Sequence, residues 1–321
     1  MPISAYPANI IIFIHYLCAM DKFYGEICQF LHDYGLHIYK VGEGYGHISV
    51  KAECSGNDRA IPLLLLEIRA NSQEEAERQH AEASAEIARL TEESGTYPLI
   101  LTEDRWSSQG EMTRSRLLAH LEIFTQIYAR NCEVRRIDKA TAQNFLQTSH
   151  SYGDAACKYR YGLYLKRHTG HNALRLSESN DNPDGQAIAA LQPGTLIAVA
   201  TFSNARKWIK GDKTIRSYEW TRYASLPGVR LSGGMGKVLK TFIKEVQPDD
   251  IMTYADLEWS EGKVYEQLGF TLEGVKEPVT FLIGSDCRRR PDRPDIPAME
   301  EDRWLRNFGS NKYRLKLTDY Q

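Results

Sequence analysis

The stretch RLSGGMGKVLKTFIKE begins at Arg230 and places Ser232, Gly233, Gly234 and Gly236 directly ahead of an amphipathic helical pattern. A strand, a glycine turn and a helix leave the first backbone N–H groups of the helix unpaired, and the helix dipole adds positive charge there. Glycine lets an oxyanion come close to the backbone. Phosphate or pyrophosphate is the ligand such a turn suits, with Arg230, Lys237 and Lys240 adding charge. The competing reading is a turn that only packs a helix on a sheet. A P-loop is excluded, because Leu231 stands where its first glycine belongs and Val238 where its Ser or Thr belongs. A dinucleotide fingerprint fails at Leu239, the place of its third glycine.

Other side chains offer chemistry. His150 ends a helical pattern in a polar stretch, SHSY, where a neutral imidazole serves as base or ligand, or simply caps the helix. Asp256 ends an apolar strand, where a buried carboxylate needs a partner; it is a functional acid or a cap for the next turn. Trp259 stacks on a base or closes the core. Arg222, in YEWTRYAS, meets a phosphate bidentately or pairs with Glu219 or Asp256. Lys158, Arg160, Lys166 and Arg167 alternate with Tyr159, Tyr161 and Tyr164. That interleaving suits a nucleic-acid groove, and strand alternation alone also produces it.

The elements that must position these groups divide into two runs. At 321 residues, 42% hydrophobic and 26% charged, the chain has the composition of a globular protein long enough for two domains. A net charge of −2 announces no nucleic-acid binder overall, so any such contact is local. Six scattered cysteines without a CxxC pair exclude a zinc cluster and a disulfide framework, and fit reduced cytoplasmic thiols. The apolar run NIIIFIHYLCAM is too short to span a bilayer and has no basic flank, so neither a membrane nor a secretory signal is expected. Helix, strand, strand, strand, helix and strand are expected over residues 23–104, inside a small α/β domain of residues 1–125. From residue 126 to 321 a second domain reads as strand, helix, strands, glycine turn, helix, strand, helix, strands. The fold class is therefore α/β (α+β). Residues 168–194 read as a long, mobile hairpin loop or insertion, and DCRRRPDRPDIP as an exposed linker between the last strands.

The glycine turn with TYADLEWSEGKVYEQLGF after it resembles the Gcn5-related N-acetyltransferase fold, whose turn cradles the diphosphate of coenzyme A. The family turn, Arg/Gln-x-x-Gly-x-Gly/Ala, is met at Arg230 and Gly233, with Met235 in its last place. The resemblance implies acetyl-CoA or a related acyl-CoA on Arg230, Ser232, Gly233, Gly234, Gly236 and Lys237. It also implies Tyr265, ahead of Leu268-Gly269-Phe270, as general acid to the leaving thiolate. Short matches in order (YARNCEVRRID, FLQTSHSYG, YRYGLYL, IAVATFS, YEWTRYAS, LSGGMGKVLKTF, FGSNKYRL) look like phage and mobile-element proteins related to the DNA-modifying Mom protein. They span residues 125–321. That likeness implies His150 and Asp256 in the site, a ferrous ion as a further possibility, and a nucleobase acceptor, with DNA as partner. The Mom pattern has a His-Tyr pair; Ser151 separates His150 from Tyr152 here.

The first domain resembles a restriction-endonuclease core in its element order. Glu67-x-Arg69 replaces the Glu-x-Lys of that core, and Glu53 is the acid on the preceding strand. Arginine does not readily release a proton and is a poor substitute for the lysine. Three functions follow: an acyl-CoA-dependent transferase, a nucleic-acid-binding protein with decayed catalytic centres, and a nuclease using Glu67.

Overall fold

The computed structural model describes residues 22–54, 60–167, 191–293, 295 and 298–319. The apolar run near the start and nearly all of the expected 168–194 insertion lie outside them. Among the described residues no helix is long and apolar enough to cross a membrane.

The chain is a mixed α/β structure of several sheets with flanking helices. Helix α1 (Lys22–Asp33) buries Phe23, Ile27 and Leu31 on one face. Strands β1 (Leu36–Gly44) and β2 (His47–Cys54) form an antiparallel hairpin, and β3 (Ile61–Leu66) joins β2. Helix α2 (Gln73–Ser94) starts where the Ser72 side chain accepts from the Glu75 amide, and it ends at Gly95 in the left-handed region. Strand β4 (Leu99–Thr102) then pairs parallel with β3, completing a four-stranded sheet. The helix–strand order expected here is the one observed. Glu103 then opens helix α3 (Glu103–Ser108), followed by α4 (Gly110–His120).

Strand β5 (Thr125–Tyr128) leads to β6 (Cys132–Arg136). Helix α5 (Lys139–Ser149) is capped by Asp138, whose carboxylate accepts from the Thr141 amide. Next come β7 (Tyr159–Leu165), β8 (Leu196–Phe202), β9 (Arg206–Lys210), β10 (Lys213–Ser225), β11 (Val229–Ser232), α6 (Gly234–Val246), β12 (Asp250–Asp256) and α7 (Lys263–Gln267). The chain continues through β13 (Thr271–Lys276), β14 (Thr280–Ile283), β15 (Arg289–Pro291), β16 (Arg303–Arg306) and β17 (Ser310–Lys316).

The large sheet runs β13-β17-β12-β10-β8-β7-β6, with β9 hairpinned onto β10. Its joints are antiparallel except β10–β12, where the crossover through β11 and α6 makes the strands parallel. Phe242 of α6 lies buried on this sheet, stacked on Phe202 with ring centroids 3.9 Å apart. β11 leaves the large sheet and pairs parallel with β5.

Strands β14–β16 form a small sheet of their own. Ile283, Leu305 and Phe308 join the apolar cluster of Leu64, Ile87 and Leu90, and Trp259 joins that of Leu63, Leu99 and Trp106. The last third of the chain thus supplies core to the first. DCRRRPDRPDIP, expected as exposed, carries strand β15, and its Arg289 is buried between carboxylates. A run of arginines looks solvated in sequence because its partners are remote in the chain.

Candidate functional site

Strands β10 and β12 pair only over Ser217–Glu219 against Asp250–Met252. A last link follows, from the Thr253 hydroxyl to the Trp220 carbonyl at 3.1 Å. Beyond it β10 stays with β8 and β12 with β17, and no ladder joins the two. A cleft of ≈ 620 Å³ opens there, lined by Trp220–Tyr223 on one side and Met252–Asp256 on the other. A second cleft, of ≈ 820 Å³, lies over the β11–α6 turn and is lined by Arg230, Ser232, Gly233 and Gly236. Arg116, Tyr223, Met235 and Val264 line both, so the two clefts meet.

The turn has the conformation its glycines suggest. Gly233 is the N-cap residue of α6, in the left-handed region at φ 77°, and contributes no capping side chain. The first amides of a 13-residue helix therefore lack a side-chain acceptor at the cap. Gly234 is buried, and a Cβ there would collide with the Tyr223 hydroxyl and Leu231. That hydroxyl is itself buried without a hydrogen-bond partner, and burial raises its pKa. Ser232 accepts from the Gln126 side chain at 3.0 Å. The Arg230 guanidinium lies 5.1 Å over the Phe124 ring at the cleft wall. Lys237 is turned elsewhere: its ammonium donates to the carbonyls of Ala129 and Cys132 at 2.8 and 2.5 Å. Those bonds hold the turn before β6 and leave Lys237 a fixing role beside the cradle.

Electrostatics around this cleft are positive. His120, on its wall, is pushed down to about 4 by burial first and then by the fields of Arg116 and Arg230.

The other cleft has a floor of paired charges. Asp256 Oδ2 accepts from Arg105 and from the Tyr152 hydroxyl, both at 3.0 Å, and Oδ1 accepts from the Glu258 amide. Arg105 also pairs with Glu258 at 3.1 Å. Arg289 bridges Asp104 at 2.6 Å and Glu258 at 2.8 Å. Burial works to neutralise Asp104, Asp256, Arg105 and Arg289, but attraction outweighs it. Asp104 sits below the ordinary carboxylate range through Arg289, and Asp256 through Arg105; Arg105 and Arg289 are raised chiefly by Glu258. Asp256 is thus an ionised, satisfied carboxylate and a weak base. Arg222 pairs with neither Glu219 nor Asp256, the acids expected for it; it donates to the carbonyls of Gly153 and Thr221, pinning the turn after α5 to β10.

His150 does line the cleft. Burial, then Arg222, Arg116 and Arg105, hold it well below the ordinary histidine value, so it is neutral. Its Nδ1 accepts from the Tyr152 amide at 3.1 Å, which leaves the proton on Nε2. The imidazole is therefore an N–H donor. Tyr265 packs against Trp220, Phe270 and Tyr313, and burial raises its phenol, which keeps its proton. The glycine cradle, His150, Asp256 and Tyr265 surround these joined clefts. Lys158 and Arg160 do not: Lys158 lies over Tyr159, and Arg160 faces a separate hollow with Asp154 and Cys157.

A ferrous ion does not fit these residues. Asp256 is committed to Arg105 and Tyr152, His150 Nδ1 to an amide, and no group of three His, Cys, Asp or Glu able to hold a metal exists among the described residues. The Glu67 carboxylate is buried and bridged at 2.5 Å to Arg69, the arginine that stands in place of the nuclease core's lysine. The Glu53 side chain lies outside the described residues.

Sequence reasoning missed Arg105, Arg116, Tyr223 and Arg289, none of which sits in a motif. It also passed over the β9–β10 hairpin. There Arg206, Lys207, Trp208, Ile209 and Lys210 are all exposed, Lys213 stands opposite Lys210, and Arg206 reaches the rim of the cleft. The signal was present in RKWIKGDK, four basic residues around a tryptophan with a single acid in a Gly-Asp turn.

No family model and no curated protein matches this sequence. Solved structures do. The chain is distantly similar in structure to Gcn5-related acetyltransferases. A histone acetyltransferase HPA2 and related acetyltransferase from Corynebacterium glutamicum matches at 10% identity and TM-score 0.32, over 60% of this chain and 99% of that one. A GNAT-family acetyltransferase from Bacillus anthracis matches at 14% identity and TM-score 0.29, over 58% and 95%. A mutant AtaT toxin bound to the C-terminus of the antitoxin AtaR and acetyl-CoA matches at 12% identity and TM-score 0.23, over 55% and 93%.

Proposed function

We propose that this protein is an acyltransferase. It takes an acyl-CoA-type thioester in the cleft over the glycine turn and an amine, a nucleobase among the candidates, in the cleft between β10 and β12. The observation that carries the reading is the meeting of those clefts at a gap between parallel strands, beside an uncapped helix start and the unpartnered Tyr223 hydroxyl. Residues 126–321 form the transferase unit and residues 1–125 the accessory unit. The diphosphate would lie on the amides of Gly234, Met235 and Gly236, with Arg230 as counter-charge. Coenzyme A supplies the activated thioester. His150 Nε2–H donates to the oxyanion formed on attack, and the protonated Tyr265 hydroxyl faces the departing sulfur. Asp256 positions Tyr152 and Arg105.

A nucleobase suits this cleft because its exocyclic amine is neutral near pH 7. Attack then needs no strong base, and none of the carboxylates on the floor is free to be one. The basic hairpin at the rim adds to this reading, since a two-stranded ribbon fits the DNA major groove, and a base swung out of the stack would enter the cleft.

Calorimetry with acetyl-CoA, followed by mass spectrometry of nucleosides from DNA incubated with protein and thioester, tests it. Binding and a mass increase on one nucleoside are expected. An absence of heat with any coenzyme A species would overturn the transferase reading. DNA retardation without any mass change would favour a nucleic-acid-binding protein instead.

A further inference from the structure

At the junction of the clefts stands Arg116, contributed by α4 from outside the large sheet. Its guanidinium lies 4.2 Å over the Trp259 ring and makes no hydrogen bond or ion pair among the described residues. The indole N–H of Trp259, a residue that also lines the cleft, is buried without an acceptor. Arg116 and Trp259 thus line one cleft, and neither the guanidinium nor the indole N–H has a hydrogen-bond acceptor among the described residues.

The neighbouring arginines sharpen the contrast. Arg105 and Arg289 are each gripped by carboxylates and raised above the ordinary value, whereas burial, and then repulsion from Arg105, pulls Arg116 down to about 10. The floor cluster of Asp104, Asp256, Glu258, Arg105 and Arg289 carries one surplus negative charge, but its carboxylates already have their hydrogen bonds and none lies within ion-pair distance of Arg116. A half-buried guanidinium with no carboxylate partner offers its charge and its donors to an anionic ligand in the cleft.

Building on the transferase reading, we propose that Arg116 and the Trp259 N–H receive a carboxylate on the transferred acyl group. The donor is then a dicarboxylic thioester of the malonyl or succinyl type, in preference to acetyl. With the diphosphate on the α6 turn and the acceptor between β10 and β12, the acyl group falls where the clefts join, and Arg116 stands there. The amine nitrogen attacks the thioester carbonyl and the C–N bond forms, giving the tetrahedral oxyanion; its collapse restores the carbonyl and breaks the C–S bond. The amine proton ends on the sulfur as a free thiol, and the distal carboxylate keeps its charge throughout.

The test is calorimetry of the full chain with coenzyme A, acetyl-CoA, malonyl-CoA and succinyl-CoA, repeated on Arg116→Gln and Arg116→Lys. At least one dicarboxylic thioester is expected to bind about tenfold or more tighter than acetyl-CoA, as a charge-assisted pair implies. Arg116→Gln should erase that preference, and Arg116→Lys should keep part of it. Equal affinity for acetyl and both dicarboxylic thioesters overturns the inference while leaving the transferase reading intact; no binding of any of the four coenzyme A species overturns both. The preference is measured on the unaltered protein, so the outcome does not depend on a variant that folds.

Discussion

The two clefts handle charge in opposite ways. On the floor beneath β12, Asp104, Asp256, Glu258, Arg105 and Arg289 pair with one another, and of their buried nitrogens and oxygens Arg105 Nη1 alone lacks a hydrogen-bond partner among the described residues. Around the α6 turn and the junction, the helix start, Tyr223, the Trp259 N–H and Arg116 lack partners. Paired charge holds elements together; the unpaired polar groups of the clefts are the ones the proposed function gives to a ligand. The same contrast explains why Asp256 fails as a base although it occupies a place suited to one.

Breaking the floor should give the largest effect. Arg289→Met strips Asp104 and Glu258 of their shared partner and is expected to cost about 3–5 kcal/mol, as uncompensated buried charges do; urea unfolding measures it. Survival of that variant within ~1 kcal/mol would show that the cluster is not what joins β15 to α3.

Acid should loosen the molecule in two stages. His120 and His150 have folded pKa values below their unfolded value near 6.5, so their contribution is complete above that pH. It is lost as the pH falls through 6.5 toward about 4, the folded value of His120. Asp104 and Asp256, depressed by their arginines, then lose theirs below the ordinary carboxylate value of ~3.9. A melting-temperature profile of His120→Gln should be flatter in the first window and unchanged in the second.

The cradle separates function from stability. Gly236 is the third helical residue, and a Cβ there makes only ordinary contact with Leu268 at 3.4 Å. Gly236→Asp should leave the melting temperature equal or slightly higher, because an acid in the first turn suits the helix dipole. The same carboxylate should weaken coenzyme A binding by roughly tenfold or more through repulsion of the diphosphate. Unchanged binding would remove the α6 turn from the site. The smallest effect belongs to the hairpin: Lys207→Ala should lower the salt dependence of DNA binding by about one unit of slope, read from binding curves at several salt concentrations.

Much of the scaffold is legible in local pattern. The caps at Ser72 and Asp138, the hairpin of β1 and β2 and the glycine turn before α6 each depend on neighbours within a few residues. Strand β9, with no buried residue, has no apolar alternation to betray it. The short strands β11 and β16 are equally faint, since their pairing partners lie far along the chain at β5 and β14.

What the sequence alone determined is therefore the local chemistry: an α/β chain, a helix beginning on bare glycine amides, and the residue types of a histidine, an aspartate and a tyrosine that offer chemistry. Only the tertiary structure decided what each of these groups is free to do. A pKa, a tautomer and a charge left without a partner depend on atoms a few ångströms away in space, and Arg105, which grips Asp256, and Asp104, which grips Arg289, are each more than a hundred residues from their partner in the chain.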